Sequence, residues 1–204
     1  MKNLTHKQQP LAYPISVPTN PQPFVQIAMD LITGLPTSNG FDAILTIVNH
    51  GCSRAALFLP CHTMITGPQI AQKYLRHLYP WFGLPEKVIS DCDPRFTSQF
   101  GKALAQELNI QQNISTAFHP QTDSLTECTN QWVEQYLRLI LANQQDWSTW
   151  LPVATAVHNN LANATTGKTP HELLIGITPP LSLEQRNNAN NVLAHDQVQL
   201  LNQY

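Results

Sequence analysis

Three carboxylates in this chain occupy positions that ask for a reason. Asp30 interrupts the apolar, β-branched stretch "FVQIAMDLI" (24–32), which reads as a buried strand. A buried carboxylate is costly unless a salt bridge, a backbone hydrogen bond or a metal ion compensates it. Asp91 follows the short strand "KVIS" (87–90) in "VISDCDPRF". Ligands gather at such strand ends in α/β sheets, although a turn role before Pro94 is equally natural and suits Asp93 as well. Glu127 sits in the first turns of a helical stretch, where exposed N–H groups favour any carboxylate. Taken together, the three suggest a site for hard divalent cations, Mg²⁺ or Mn²⁺, because oxygen ligands select such ions and clustered carboxylates repel one another without them.

The elements that must position these residues follow from periodicity. Three strands, 24–32, 42–50 and 54–60, have short connections and form an antiparallel meander. A helix over 67–82 begins at Gly-Pro and carries Ile70, Tyr74 and Leu78 at a spacing of four. The strand 87–90, a helix over 97–109 and a strand over 110–116 come next. A helix then starts near residue 122, with Leu125, Cys128, Trp132, Tyr136, Leu139 and Ile140 on one face and Glu127, Asn130, Gln131, Glu134 and Arg138 on another. A last helix spans 147–162 despite Pro152. This order predicts an α/β fold of the ribonuclease-H-like type: a mixed five-stranded sheet, three strands antiparallel and two parallel, flanked by helices. Right-handed crossovers then make the first and fourth strands parallel neighbours. Asp30 and Asp91 can approach each other there, and the helix can lay Glu127 over the same edge.

Composition narrows the function classes. Net charge is −2 and only 12% of residues are charged. A free-standing nucleic-acid binder usually carries a strong basic excess, so any DNA affinity should be modest and salt-sensitive. The four cysteines form no CxxC pair, and no zinc-finger spacing links them to histidine, so reduced thiols are expected. The N-terminal stretch lacks an apolar signal core, and no apolar run is long enough for a membrane span. Residues 1–22, rich in Pro, Gln and Asn, read as a linker, 23–180 as the folded core, and 181–204 as a polar tail. The expected setting is intracellular.

Thirty-five residues separate Asp91 from Glu127. With that spacing, "MDLITGLP", "FGLPEKVISDCDPRFTSQF", "STAFHPQTDSLTECTNQWVEQYLR" and "NATTGKTPHELLIG" resemble the integrase core of gypsy-like LTR retrotransposons, in order and over about residues 22–180. The resemblance implies that Asp30, Asp91 and Glu127 are the catalytic triad and hold two Mg²⁺ or Mn²⁺ ions. It implies phosphoryl transfer on DNA, by end processing and strand transfer, with element ends and target DNA as partners. It further implies a homodimer, action in the nucleus and no membrane. His119, Gln121 and Asn130 flank Glu127 in the matching motif and are candidate DNA contacts, with loop or helix-face hydrogen bonding as the alternative.

The sequence also departs from that family. Asn49, Cys92, Ser124, Leu125 and Cys128 stand where it usually has Asp, Arg, Gly, Gln and Arg. Four of these changes can each arise from one G-to-A or C-to-T transition, the mark of cytosine deamination. No zinc-binding module is expected before the core and no basic domain after it. The alternative reading is therefore a catalytically impaired relic that serves only as a folded binding or dimerisation domain.

Overall fold

Every residue of "AILTIVN" (43–49) is buried, which is the signature of a strand with both faces covered. The computed structural model describes residues 22–51, 53–91, 93–109, 115–117, 120–141, 146–163 and 166–181. β1 (Gln26–Ile32), β2 (Ala43–Asn49) and β3 (Ala56–Cys61) form the antiparallel meander. β4 (Lys87–Ile89) joins β1 in parallel and β5 (Ser115–Ala117) joins β4 in parallel, giving the order β3-β2-β1-β4-β5. This is the mixed α/β sheet read from the sequence.

Side chains alternate across a strand, so the sheet separates two cores. Ile27, Met29, Leu45, Ile47, Leu59 and Val88 face Ile70, Tyr74, Phe100 and Leu104. Those four come from α1 (Gly67–His77) and α3 (Phe100–Glu107). Ala28, Ile32, Ile44, Val48, Phe58 and Ile89 face the other way, against Val133, Tyr136 and Leu137 of α4 (Pro120–Leu141) and Trp147, Leu151 and Ala154 of α5 (Trp147–Asn160).

Several elements differ from the periodicity. The helix expected over 67–82 breaks at Leu78 into α1 and a four-residue α2 (Tyr79–Phe82). Pro80 has no N–H to continue the ladder, and Gly83 takes a positive φ of 70° beyond it. The helix expected over 97–109 begins earlier, as a π-helical turn over Arg95–Gln99 that tightens into α3. A side chain at Gly67 would run into Gln99, so glycine lets α1 start against that turn. Of the strand expected over 110–116, residues 110–114 lie outside the described residues. A further short helix, α6 (Pro170–Ile175), was not anticipated, although its capping box was legible: Thr169 Oγ1 accepts from Glu172 N at 3.0 Å and Glu172 Oε2 accepts from Thr169 N at 2.8 Å.

The buried face of α4 is rotated from the expected one. Thr126, Thr129, Asn130, Val133, Tyr136 and Leu137 are buried, whereas Cys128 is exposed and Leu139 is 58% exposed. Apolar periodicity pointed at Cys128 and Leu139. The rotation instead follows Val133 and Leu137, which fill the core over Ala28 and Ile44, and Asn130, which meets a carboxylate described below.

β3 is one edge of the sheet, and α5 covers its unpaired backbone. Asn159 accepts from Ala56 N and donates to Ala56 O, both at 2.9 Å, and Thr155 Oγ1 accepts from Phe58 N at 3.2 Å. Such side-chain cover blunts an edge that otherwise templates association. Beside it, the His158 ring meets Trp132 edge-on at 4.8 Å and Phe58 at 5.7 Å. Burial pushes the His158 pKa down to about 4.

Two outcomes follow. Replacing Asn159 with Ala strands both Ala56 groups and should cost about 1–3 kcal/mol in urea denaturation. His158 is neutral in the fold and titrates near 6.5 when unfolded. Its contribution is thus fully present above pH 6.5 and is lost as pH falls toward about 4. Stability should drop by about 1–3 kcal/mol across that window, and a His158→Gln variant should show a flatter profile.

Candidate active site

The even-numbered positions of β1 face α4, and Asp30 is one of them, between Ala28 and Ile32. It is the charged residue in an otherwise apolar row. Directly across β2 lies Thr46, and beyond it on β3 lies Phe58. Toward the other side, β1 and β4 run parallel with Gln26 beside Lys87 and Ala28 beside Ile89. Continuing that register by two residues sets Asp91 level with Asp30 and on the same face. Adjacent strands lie about 4.8 Å apart, so the extended register sets the two carboxylates at the same end of the sheet.

Asp30 is half-buried and its oxygens are held. Oδ1 accepts from Leu31 N at 2.8 Å, and Oδ2 accepts from Asn130 Nδ2 at 2.7 Å. Asn130, expected among the DNA contacts, is only 9% exposed, and its amide is directed to Asp30. That bond fixes α4 over the carboxylate edge. Glu127 is one turn earlier on α4, about 4.5 Å along the axis. It is exposed and accepts from Gln131 Nε2 at 3.4 Å. Gln121 falls in α4 with its side chain outside the described residues, and His119 lies outside them altogether.

Asp91 is exposed, just past β4, with Oδ1 accepting from Asp93 N at 3.1 Å in a turn. The sequence left Asp91 and Asp93 equivalent as turn residues, and the structure divides the work. Asp93 takes Arg95, accepting from Nε at 2.8 Å and from the Arg95 backbone N at 2.9 Å. The side-chain bond from Arg95 holds the Asp93 carboxyl below its ordinary range. Arg95 Nη1 also donates to Thr63 O at 2.8 Å, which pins the loop that carries Asp91.

The donor set suits a hard cation: three carboxylates and a side-chain amide oxygen, all oxygen donors. Among the described residues, Asn130 Oδ1 is buried without a hydrogen-bond partner, and so is the hydroxyl of Thr46 across from Asp30. Orphaned buried acceptors beside a carboxylate fit an ion with its water shell. Among the described residues, no group of three or more His, Cys, Asp or Glu side chains is drawn together closely enough to enclose an ion. Repulsion between carboxylates opposes that gathering until positive charge enters. Thr46 escaped the sequence reading, although a lone polar residue in "AILTIVN" was its signal.

The departures noted in the sequence have unequal consequences. Asn49 is buried and satisfied: Oδ1 accepts from Phe24 N and Gly51 N, and Nδ2 donates to Ser53 Oγ, a bond an aspartate could not donate. Cys128 presents an exposed thiol beside Glu127. Cys92 lies outside the described residues, as do the side chains of Ser124 and Leu125.

Replacing Asn130 with Ala should cost about 1–2 kcal/mol by urea denaturation. Asn130→Asp should be worse at pH 7, where two carboxylates face each other, and should recover much of the loss near pH 4 as one protonates. Equal losses at both pH values would show that Asn130 does not face Asp30.

No family model matches the chain. It is 34% identical over 182 residues to the transposon Tf2-3 and Tf2-4 polyproteins of Schizosaccharomyces pombe (strain 972 / ATCC 24843). The match covers 89% of this chain, which spans only 13% of those relatives' length. Among solved structures it is similar to the simian T-cell lymphotropic virus intasome in complex with PP2A regulatory subunit B56 gamma, with a TM-score of 0.61, 19% identity, and 80% of this chain and 59% of that one covered. The HTLV-2 integrase catalytic core domain in complex with magnesium, in its trimeric form, gives 0.56 and 17%, covering 74% and 96%. The catalytic core domain of BIV integrase gives 0.56 and 18%, covering 75% and 95%.

Proposed function

The chain belongs to the LTR-retrotransposon integrase core family, and from that premise we propose that it transfers phosphoryl groups on DNA. The observation that carries this reading is the bond from Asn130 Nδ2 to Asp30 Oδ2, because it registers the Glu127 helix on the Asp30–Asp91 edge. Asp30, Asp91 and Glu127 are the proposed catalytic residues and the proposed ligands of two Mg²⁺ or Mn²⁺ ions. When bound, such ions supply Lewis acidity and neutralise charge on the transferring phosphate.

The chain's own residues do the positioning. Leu31 N and the Asn130 amide fix the Asp30 carboxylate in one orientation. Arg95 braces the loop of Asp91 from Thr63, and α4 carries Glu127 one turn before Asn130. A phosphodiester aligned along this edge would meet an Asp30 carboxylate already held in one orientation, with Asp91 and Glu127 drawn in as positive charge enters, and such positioning is most of what phosphoryl transfer asks of a protein. The nucleophile is water in end processing and a 3′-hydroxyl in strand transfer. The proposed substrates are element ends and target DNA in the nucleus, with a second copy of the chain as partner. Among the described residues, no helix is long and apolar enough to cross a membrane.

A disintegration assay on a branched DNA oligonucleotide with Mn²⁺ tests this. It demands least of any other domain. The wild-type chain should reseal the branch, and Asp30→Asn and Glu127→Gln should each reduce the rate by at least about 100-fold, the scale of losing one electrostatic contact to the transition state. Resealing that survives in either folded variant would exclude that carboxylate from catalysis.

A further inference from the structure

On the opposite side of the sheet from α4, a cleft of about 260 Å³ opens between the end of β3 and α1. Its walls are unusual for a chain of net charge −2. Lys73, Arg76 and His77 line it from α1, and at spacings of three and four they share one helix face. His62 lines it from the other side with Phe41, their rings 5.4 Å apart. Among the described residues, no acidic residue lines it. The carboxylate at the His62 end is Asp42, whose Oδ1 accepts from Thr63 N at 2.8 Å and stands 4.0 Å from His62 Nδ1.

This arrangement opposes its own cations. Burial first, and then the charges of Lys73 and Arg76, push the His77 pKa down. Burial and Arg76 also lower that of Lys73. Lys73 is anchored: Nζ donates to Pro60 O at 2.7 Å and lies 5.9 Å from the centre of the Phe41 ring. One donor is thereby used and two remain. Like charges gathered in a concavity cost stability, and an anion entering it would relieve that cost.

The cleft's place in the sheet suggests the anion. Cys61, in its wall, pairs with Ala43 at the end of β2, three residues from Thr46, which pairs with Asp30. Two strand spacings and three residues of rise put Cys61 about 14 Å from Asp30 in the plane of the sheet, with the cleft on the face away from α4. Each strand of a duplex carries one phosphate per about 3.4 Å of helix axis, so that distance laid along the axis spans about four base pairs. We propose that the cleft holds a backbone phosphate of the DNA that flanks the reacting bond, with Lys73 and Arg76 on its oxygens and the Phe41–His62 ring pair against the adjoining sugar or base. This rests on the function proposed above, and it assigns the chain a second, non-catalytic DNA contact.

The test is fluorescence anisotropy of the same branched oligonucleotide over a series of salt concentrations. It compares the wild type, Lys73→Gln with Arg76→Gln, Arg76→Gln alone, and a charge-matched Lys87→Gln with Lys102→Gln, each checked for folding by circular dichroism. The double variant in the cleft should bind about tenfold more weakly at low salt, and its slope of log affinity against log salt should fall by about 1–2 units. The single variant should lie between, and the charge-matched control should keep the wild-type slope. In the disintegration assay, the cleft variants should raise KM and spare kcat. An unchanged slope in the cleft variants, or an equal fall in the control, overturns the phosphate contact and leaves the proposed reaction standing. A wild type that binds no DNA at low salt overturns both.

Discussion

A carboxylate inside a sheet covered on both faces must be hydrogen-bonded, and the bond between Asn130 and Asp30 meets that constraint. Much of the architecture around the proposed site depends on it. Asp30 breaks an apolar row that runs from Ala28 to Ile32 and continues through Ile44 and Val48. A helix laid over that row has to offer an amide at one position and apolar side chains at the rest. α4 does so with Asn130, Val133 and Leu137. The same geometry carries Glu127 outward, one turn earlier, where it remains in water at the edge.

Two loops complete the edge by different means. The Asp91 turn is short, and Arg95 ties it to the segment that precedes α1 through Thr63. Asp93 absorbs the guanidinium as its own partner. Next to it, Gly67 allows α1 to begin hard against the π-helical turn, so the loop before α1 and the loop after β4 are packed as one unit. The proposed phosphate cleft grows out of the same segment, since His62 belongs to the turn between β3 and α1. Negative charge at the edge and positive charge behind it therefore come from neighbouring pieces of chain. That polarity would orient a nucleic-acid backbone even though the whole chain is slightly acidic.

The distribution of polar groups also explains how the exposed edge of the sheet is managed. β3 has unpaired backbone groups on its outer side, and α5 meets them with Asn159 and Thr155. His158 lies between these residues in sequence and turns its ring toward Trp132 and Phe58. α5 thus covers the edge with side-chain amide and hydroxyl groups while its neutral histidine packs against the aromatic stack. The helix is bound to the sheet by polar pairing at its rim and by Trp147 and Leu151 within.

The sequence by itself determined the element order, the mixed sheet and the identity of the three candidate carboxylates. Strand alternation and strand-end position are local properties, and the parallel pairing of β1 with β4 follows from right-handed crossovers. The spacing from Asp91 to Glu127 was likewise readable, because it is a count along the chain. Tertiary structure alone decided which face of α4 is buried. Apolar periodicity favoured Cys128 and Leu139, yet the helix turns to the partner that Asp30 requires, and one half-buried charge outweighs two apolar side chains. It also divided Asp91 from Asp93, which are equivalent as turn residues until Arg95 is placed, and it turned Asn130 from a candidate DNA contact into the ligand of a carboxylate 100 positions away. The cationic cleft was equally invisible, since His62 and Arg76 belong to different elements and only the packing of α1 beside the end of β3 makes them neighbours.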